Sequence, residues 1–342
     1  MKLATHTNDA AFDRLRDEWN ALVYRSQANS VFSLWEWHFH WWQSYQPGEL
    51  HIVTFHDTDH QLVGLAPLFI EKHPEYGRVL RIIGSDDVTD YLDIIIDQKC
   101  IAAVQAAFVE YLVSAQDAFD MLELCNIRQD SPTYNHLPKL LEHCGFDVVT
   151  RQQEVCPIIQ LPDSFEAYLD GLDSKQAREL RRKLRIVDAQ MGAVQWYIAG
   201  PEHNIQVEAE RFIDLMRQSH PEKATFLEND QHSAFFRAIM PAMYNLGCLQ
   251  LNFLTVNEEA VAAYLNFDYQ GHILVYNSGL APQRYANLSP GIVLLCYNIQ
   301  HAIAQGRKTF DFLRGDENYK YRMGAKDTII YNIRGRIMRA ME

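Results

Sequence analysis

The densest chemistry in the sequence lies between Thr309 and Gly324. There a short apolar run, Phe310-Asp311-Phe312-Leu313, gives way to Arg314, Gly315, Asp316, Glu317, Tyr319, Lys320, Tyr321 and Arg322. Carboxylates, cations and phenols crowded at a strand end bring proton acceptors, charge stabilisers and weak acids together. Ligands in α/β folds favour the carboxyl ends of strands. The same residue types also build salt-bridge and turn clusters, so the pattern has a structural reading beside the chemical one.

A second constellation is the turn Leu288-Ser289-Pro290-Gly291 opening an apolar helix toward Ala304. Proline at a first helical turn loses no hydrogen bond, and glycine lets a ligand approach the backbone. The unpaired N–H groups and the positive end of the helix then suit an anion such as a pyrophosphate. A third is the basic run Lys175, Arg178, Arg181, Arg182, Lys183 and Arg185. Leu180, Leu184 and Val187 form the apolar stripe of that helix, so most of the cations project outward, solvated or against a phosphate-bearing ligand. In the first half, the loop Gly84 to Asp93 concentrates four carboxylates with Tyr91. It would repel a pyrophosphate and is either a solvated, exposed turn or a site for a polyol or an ammonium group, with Asp90 and Tyr91 as the contacts.

The elements that must position these residues follow from pattern. Helices are expected at Ala10 to Arg25 and Leu34 to Tyr45, the second carrying Trp35, Trp37, Trp41 and Trp42 on more than one face, as a core helix would. Strands are expected at His51 to Phe55, Leu62 to Ile70, Val79 to Ile83, Leu92 to Ile96, Met121 to Cys125 and Phe146 to Thr150, with helices at Ile101 to Ser114 and Tyr134 to His143. The order then returns. Leu249 to Val256 and Val261 to Phe267 echo the first hairpin, His272 to Tyr276 echoes Val79 to Ile83, the helix Gly291 to Ala304 echoes Ile101 to Ser114, and Phe310 to Leu313 echoes Met121 to Leu124. One domain used twice accounts for this, with a boundary near residue 150. Between the halves, Ser164 is a candidate N-cap, and the helix from Ser174 to Met191 stops before Gly192.

Bulk properties narrow the class. The chain has 342 residues, a length that suits two domains. Residues 1–150 hold 10 Lys/Arg against 22 Asp/Glu, a net of −12, whereas residues 151–342 hold 21 against 22, a net of −1. Such an acidic chain is a poor general DNA binder, and only its second half is suited to an anion. The N-terminus carries no signal-peptide stretch and no run of about 18 apolar residues occurs, so the expected location is the cytoplasm, without a transmembrane segment. The six cysteines show no C-x-x-C spacing and are expected as buried thiols. His56 and His60 span a turn and no H-E-x-x-H occurs, so no metal is expected.

At these residues the sequence resembles the FemAB-like acyltransferases, in the branch of CelD-like acetyltransferase domains within the GNAT superfamily. The resemblance rests on Leu65-Ala66-Pro67-Leu68, on Gly84 through Asp90-Tyr91-Leu92-Asp93, on Leu288-Ser289-Pro290-Gly291, and on Asp311-Phe312-Leu313-Arg314-Gly315-Asp316 with Tyr319-Lys320 and Gly324. It implies an α/β (α+β) fold of tandem GNAT-like domains, each a mixed, mostly antiparallel sheet flanked by helices. Domain 1–150 would lack an acyl-CoA site and domain 151–342 would hold it. The donor, acetyl-CoA or another acyl-CoA, would lie against Val275, Tyr276 and Asn277 with its pyrophosphate at Leu288, Ser289, Pro290, Gly291 and Ile292. The segment Arg284 to Gly291 departs from the glycine-rich Q/R-x-x-G-x-G/A pattern of typical GNAT enzymes, which leaves aminoacyl-tRNA, the donor of Fem-type relatives, as an alternative.

Acyl transfer by direct attack needs a proton acceptor, oxyanion donors and an acid for the leaving group. Asp311 or Asp316 is expected as base or acceptor-orienting carboxylate, Tyr319 as acid, and Lys320 or Arg314 as electrostatic anchors, with Arg178, Arg182, Asp90, Tyr91 and Arg314 as substrate contacts. The expected acceptor is an amine or hydroxyl of a sugar, polysaccharide precursor or amino compound. The alternatives are aminoacyl transfer onto an envelope precursor and a non-catalytic GNAT-like subunit of a peripheral envelope-assembly complex.

Overall fold

The computed structural model describes residues 1–84, 88–190, 192–282 and 284–337. In chain order the elements are β1 (Lys2–His6), α1 (Ala10–Val23), α2 (Trp35–Tyr45), β2 (Glu49–His56), β3 (Leu62–His73), β4 (Gly77–Ile82), β5 (Ile95–Ile96), α3 (Ile101–Ser114), β6 (Met121–Arg128), α4 (Pro132–His143) and β7 (Phe146–Gln160). They continue with α5 (Phe165–Asp170), α6 (Ser174–Asp188), β8 (Val194–Ile198), α7 (Ile205–Ser219), α8 (Pro221–Glu228), α9 (Asp230–Asn245), β9 (Leu249–Val256), β10 (Glu259–Tyr269) and β11 (His272–Leu280). The last are α10 (Pro290–Ala304), β12 (Thr309–Asp311), α11 (Asn318–Arg322) and β13 (Lys326–Ile337).

Contacts divide the chain into two units, residues 1–155 with the closing strand from Thr328, and Cys156–Asp327. The division at residue 150 read from the sequence leaves that closing strand in the second half. Its antiparallel pairing with β6, from Ile330 opposite Arg128 to Gly335 opposite Leu122, makes it part of the first. A buried carboxylate pins it there. Glu123 on β6 accepts from Arg334 (2.6 Å) and Asn332 (3.1 Å) on β13 and from Arg81 on β4. Burial pushes the Glu123 carboxyl up, but these donors more than offset it, and it stays ionised below its usual range.

The two units repeat one strand order. The first runs β1-β2-β3-β4-β6-β13 and the second β8-β9-β10-β11-β12-β7. In each, one pair is parallel, β4 with β6 and β11 with β12, and the other pairings described within it are antiparallel. The parallel step falls where the long helix, α3 or α10, crosses between strands, as a parallel connection requires. The duplicated α/β architecture expected from the order of elements is therefore present.

Local chemistry explains the boundaries. Ser164 caps α5 by accepting from Ala167 N–H, and Asp173 caps α6 by accepting from Lys175 and Gln176 N–H. Helix α6 ends at Asp188; Met191, its expected end, lies outside the described residues. The tryptophans of α2 are all buried, and Trp37 donates to Thr89 Oγ1 (3.0 Å) while Trp42 donates to Asp9 (2.8 Å). All six cysteines are free thiols, but only four are buried: Cys100 is half-buried, and Cys144 is exposed at the C-cap of the amphipathic α4. Among the described residues no helix is long and apolar enough to cross a membrane.

The expected strand Leu92 to Ile96 shrinks to Ile95–Ile96, because the residues before it have another task. After three paired residues each, Val79–Arg81 against Met121–Glu123, β4 and β6 part. The chain from Val88 to Leu92 fills the gap. Asn126 Nδ2 donates to Thr89 O (2.6 Å), Leu92 N–H donates to Asn126 O (3.1 Å), and the Thr89 hydroxyl donates to Gly84 O (2.7 Å). Asp90 and Tyr91, expected on a substrate-binding loop, are buried in this plug, with the Arg128 guanidinium over the Tyr91 ring (4.9 Å). Ser85, Asp86 and Asp87 of the expected turn lie outside the described residues. Asp93 closes the plug, accepting from Ile94 N–H (2.8 Å) and the Ser131 hydroxyl.

Two outcomes follow from this packing. A Cβ on Gly279 of β11 would stand 2.6 Å from Met216 N and 2.7 Å from Leu215 Cβ on α7, so Gly279→Ala must push helix from strand. The expected loss is about 1–3 kcal/mol, read as a lowered urea midpoint; an unchanged midpoint would show that the contact yields freely. Burial raises Asp93 from 3.8 to about 6. The folded chain thus keeps a proton that the unfolded chain releases, and the stabilisation present below pH 3.8 is lost as pH rises through about 6. The stability of wild type relative to Asp93→Asn should therefore fall between pH 4 and pH 7, about the window of that shift; a pH-independent difference in urea midpoint contradicts it.

Candidate functional site

The second unit opens the gap that the first unit fills. Strand β11 pairs with β12 only from His272 to Leu274, opposite Thr309 to Asp311, and then runs on alone to Leu280. A bulge at Tyr276 sharpens the divergence: Val275 lies opposite Asn266 and Asn277 opposite Leu265, so Tyr276 has no counterpart on β10. Val275 is buried in the core beneath α10, and the Tyr276 ring leans on Phe236 (5.8 Å) and Phe267 (5.5 Å).

Register fixes which backbone groups face the gap. Ala281 N–H donates to Val261 O (3.0 Å), so in the alternating antiparallel pattern the pairs 263/279 and 265/277 also exchange hydrogen bonds. Ser278, opposite Tyr264, belongs to the other class and turns both N–H and C=O away from β10, toward the side that β12 has left. Those groups are met by side chains instead. Ser278 N–H donates to Asn277 Oδ1 (2.8 Å), and Lys223 Nζ on α8 donates to Ser278 O (2.6 Å) and to Asn277 Oδ1 (2.9 Å). Burial pushes the Lys223 ammonium down to about 8, against the Glu317 carboxylate, which raises it. Nothing in the sequence distinguished Lys223; it sits in an ordinary capped helix start, and only the fold brings it to the strand end.

Beyond the gap, Tyr285 and Ser289 take left-handed backbone (φ 51° and 52°) and turn the chain into α10. The Ser289 carbonyl accepts from Ile292 N–H (3.0 Å) and Val293 N–H (3.1 Å), whereas its hydroxyl caps nothing on the helix. Instead it accepts from Lys183 Nζ (2.6 Å), reaching over from α6. Leu288 and Pro290 are buried and Ile292 half-buried, which anchors the turn. A Cβ at Gly291 would meet nothing nearer than a Leu280 methyl at 3.7 Å, so the helix start is open. Of the cations on α6, Lys183 is the one delivered to this helix end. Arg182, expected as a substrate contact, is held by Glu179 (2.7 Å), and Arg178 donates to Ser174 O of its own helix (3.1 Å). Hydrogen bonds from Arg182 and Lys183 hold the Glu179 carboxyl down to about 2.

The cluster after β12 separates into parts with different work. Asp311, expected as a base, is only 2% exposed and accepts from Leu313 N–H (2.8 Å), fixing a left-handed turn at Leu313 (φ 54°). One carboxylate oxygen is thus engaged by the backbone of the turn. Lys320, also 2% exposed, donates to the carbonyls of Leu313 (3.3 Å), Arg314 (2.6 Å) and Gly315 (3.1 Å) and pairs with Glu317 (2.9 Å). Its ammonium is the hub of the loop. Tyr319 packs edge-on to Phe312 (5.8 Å), and burial, with the Glu317 charge, raises its phenol so that it stays protonated. Asp316 is exposed and Arg314 half-buried. Among the described residues no group of three or more His, Cys, Asp or Glu is arranged to hold a metal ion.

An open strand edge, an unobstructed helix N-terminus with a lysine beside it, and a protonated phenol can together hold an extended anionic molecule and give up a proton at its reactive end. Residues 174–321 match the family described as acetyltransferase (GNAT) domain. FemX is similar in fold at a TM-score of 0.66 and 12% identity, over 97% of each chain. L-PGS from Bacillus licheniformis is similar at 0.57 and 13% identity, over 95% of this chain and 93% of its own. A tandem GNAT protein from the clavulanic acid biosynthesis pathway is similar at 0.50 and 10% identity, over 99% of this chain and all of that one. No curated protein matches the chain in sequence.

Proposed function

Starting from a chain with a FemAB-like GNAT fold, we propose that it is an acyltransferase that moves an acyl group from acyl-CoA, by direct attack, to an amine or hydroxyl of a sugar, polysaccharide precursor or amino compound. The observation that carries this reading is the edge of β11 at Ser278. Its N–H and C=O face a gap in which β12 no longer supplies a partner. The amides of a pantetheine arm have the spacing to pair there, as a strand would. Its pyrophosphate would then reach the start of α10, between the backbone at Ser289-Pro290-Gly291 and Lys183. Among the described residues the first unit offers no such edge, since its own Val88 to Leu92 fills the matching gap.

At the acyl end the attacking nitrogen or oxygen adds to the thioester carbonyl, and the C–S bond breaks as the tetrahedral intermediate collapses. Tyr319, kept protonated by burial, gives its proton to the leaving thiolate. The exposed Asp316 orients the acceptor and takes its proton. Lys320 and Asp311 hold the intervening loop in shape. Under this reading the protein works where acyl-CoA is found, in the cytoplasm.

Arg178 and Arg185 favour a second reading. Both donate to carbonyls of their own helix and leave exposed guanidinium charge, which suits the phosphates of aminoacyl-tRNA.

Calorimetric titration with acetyl-CoA should give one saturable site below millimolar concentration, weakened roughly three- to tenfold in Lys183→Met, the scale of one charge-assisted contact. Absence of heat at millimolar acetyl-CoA sinks the acyl-CoA reading, and saturable binding of charged tRNA instead would favour the second. With an acceptor in hand, Tyr319→Phe and Asp316→Ala should each lower kcat/KM on the order of 10²-fold. Unchanged values would remove both residues from the chemistry.

A further inference from the structure

The Lys223 ammonium has no part in the acyl transfer described above, yet it is half-buried against the edge of β11. Its neighbours explain what it does there. Ser278 presents two backbone groups to the gap, and a buried strand edge cannot leave them bare without a cost comparable to a lost hydrogen bond. Asn277 Oδ1 takes the N–H (2.8 Å) and Lys223 Nζ takes the C=O (2.6 Å). The two side chains are joined to each other by a hydrogen bond of 2.9 Å, and Lys223 also donates to Ser278 Oγ (3.3 Å). Together they present one acceptor and one donor to the strand, which is what a paired strand or an extended amide chain would present.

We propose that Lys223 is a specificity-determining residue of the donor site: with Asn277 it occupies the edge of β11 in place of a strand, and yields that edge only to an arm that offers an amide N–H and carbonyl at extended spacing. The inference rests on the acyl-CoA reading. A donor's amide N–H takes over the Ser278 carbonyl and its carbonyl takes over the Ser278 N–H, so the two backbone groups of the strand stay satisfied, and Asn277 Oδ1 is released to solvent. Glu317, whose charge already acts on Lys223, receives the displaced ammonium. A ligand without such an arm cannot make the exchange and leaves the latch shut.

The experiment compares wild type, Lys223→Met and Lys223→Arg by calorimetry with two probes, acetyl-CoA and 3′-phosphoadenosine 5′-diphosphate, which lacks the arm. Lys223→Met should bind acetyl-CoA roughly three- to tenfold more tightly, since one competing hydrogen bond is gone, and bind the nucleotide as wild type does. Lys223→Arg, which keeps a donor, should stay close to wild type with both. If Lys223→Met does not fold, Lys223→Gln, which offers a neutral donor, should show the same selective gain at smaller size. Equal change with both probes, no change, or weaker acetyl-CoA binding overturns the latch while leaving the donor reading intact. Failure of wild type to bind either probe overturns the donor reading and this inference with it.

Discussion

Everything distinctive in the second unit depends on a shortage of parallel pairing. His272, Ile273 and Leu274 meet Thr309, Phe310 and Asp311, and there the ladder stops. A longer β12 would satisfy the edge of β11 with backbone. The early stop is enforced from the β12 side by Asp311, whose carboxylate holds Leu313 N–H and turns the chain away, and from the β11 side by the bulge at Tyr276. Lys320 then holds the departing loop by its carbonyls, so the opening is a fixed feature of the fold rather than a frayed end.

The first unit contains the same short parallel step and resolves it differently. Its gap is closed by a segment of its own chain, threaded between β4 and β6 and locked by Asn126 and Thr89. Two copies of one architecture therefore differ in how this gap is met. Where the loop turns inward, the sheet is completed as a structural body. Where the equivalent chain instead forms the start of α10, the edge stays available.

Much of this architecture was legible in the sequence. Hairpins of apolar runs broken by turn residues, the aromatic helix α2 and the apolar helices α3 and α10 are strong local patterns, and the repeated order of elements gave the duplication. The surroundings of the candidate residues were less legible. Residue types near Asp311 marked a strand end correctly, yet whether a carboxylate faces solvent or a backbone N–H depends on a turn of two residues. Asp90 and Tyr91 read as exposed because acidic loops usually are; the plug buries them through partners 37 residues away, Asn126 against Thr89, that no local pattern encodes. Lys223 went unseen, and Lys183 was read only as one cation of a basic run, for the same reason: each reaches its partner across more than 50 residues of chain.

The strand β13 carries a consequence for how such a chain comes to be folded. Its partner β6 is made early, but Ile330 meets Arg128 only after the whole second unit has been synthesised. The carboxylate of Glu123 must wait just as long for Arg334 and Asn332. The first unit is thus contiguous in space and discontinuous in sequence, with a loop closure of roughly two hundred residues left for last, the kind of non-local pairing that slows folding. The unit whose strands come first in this sequence is the one whose sheet waits for residues beyond the second unit, and no fragment that stops before β13 can complete it.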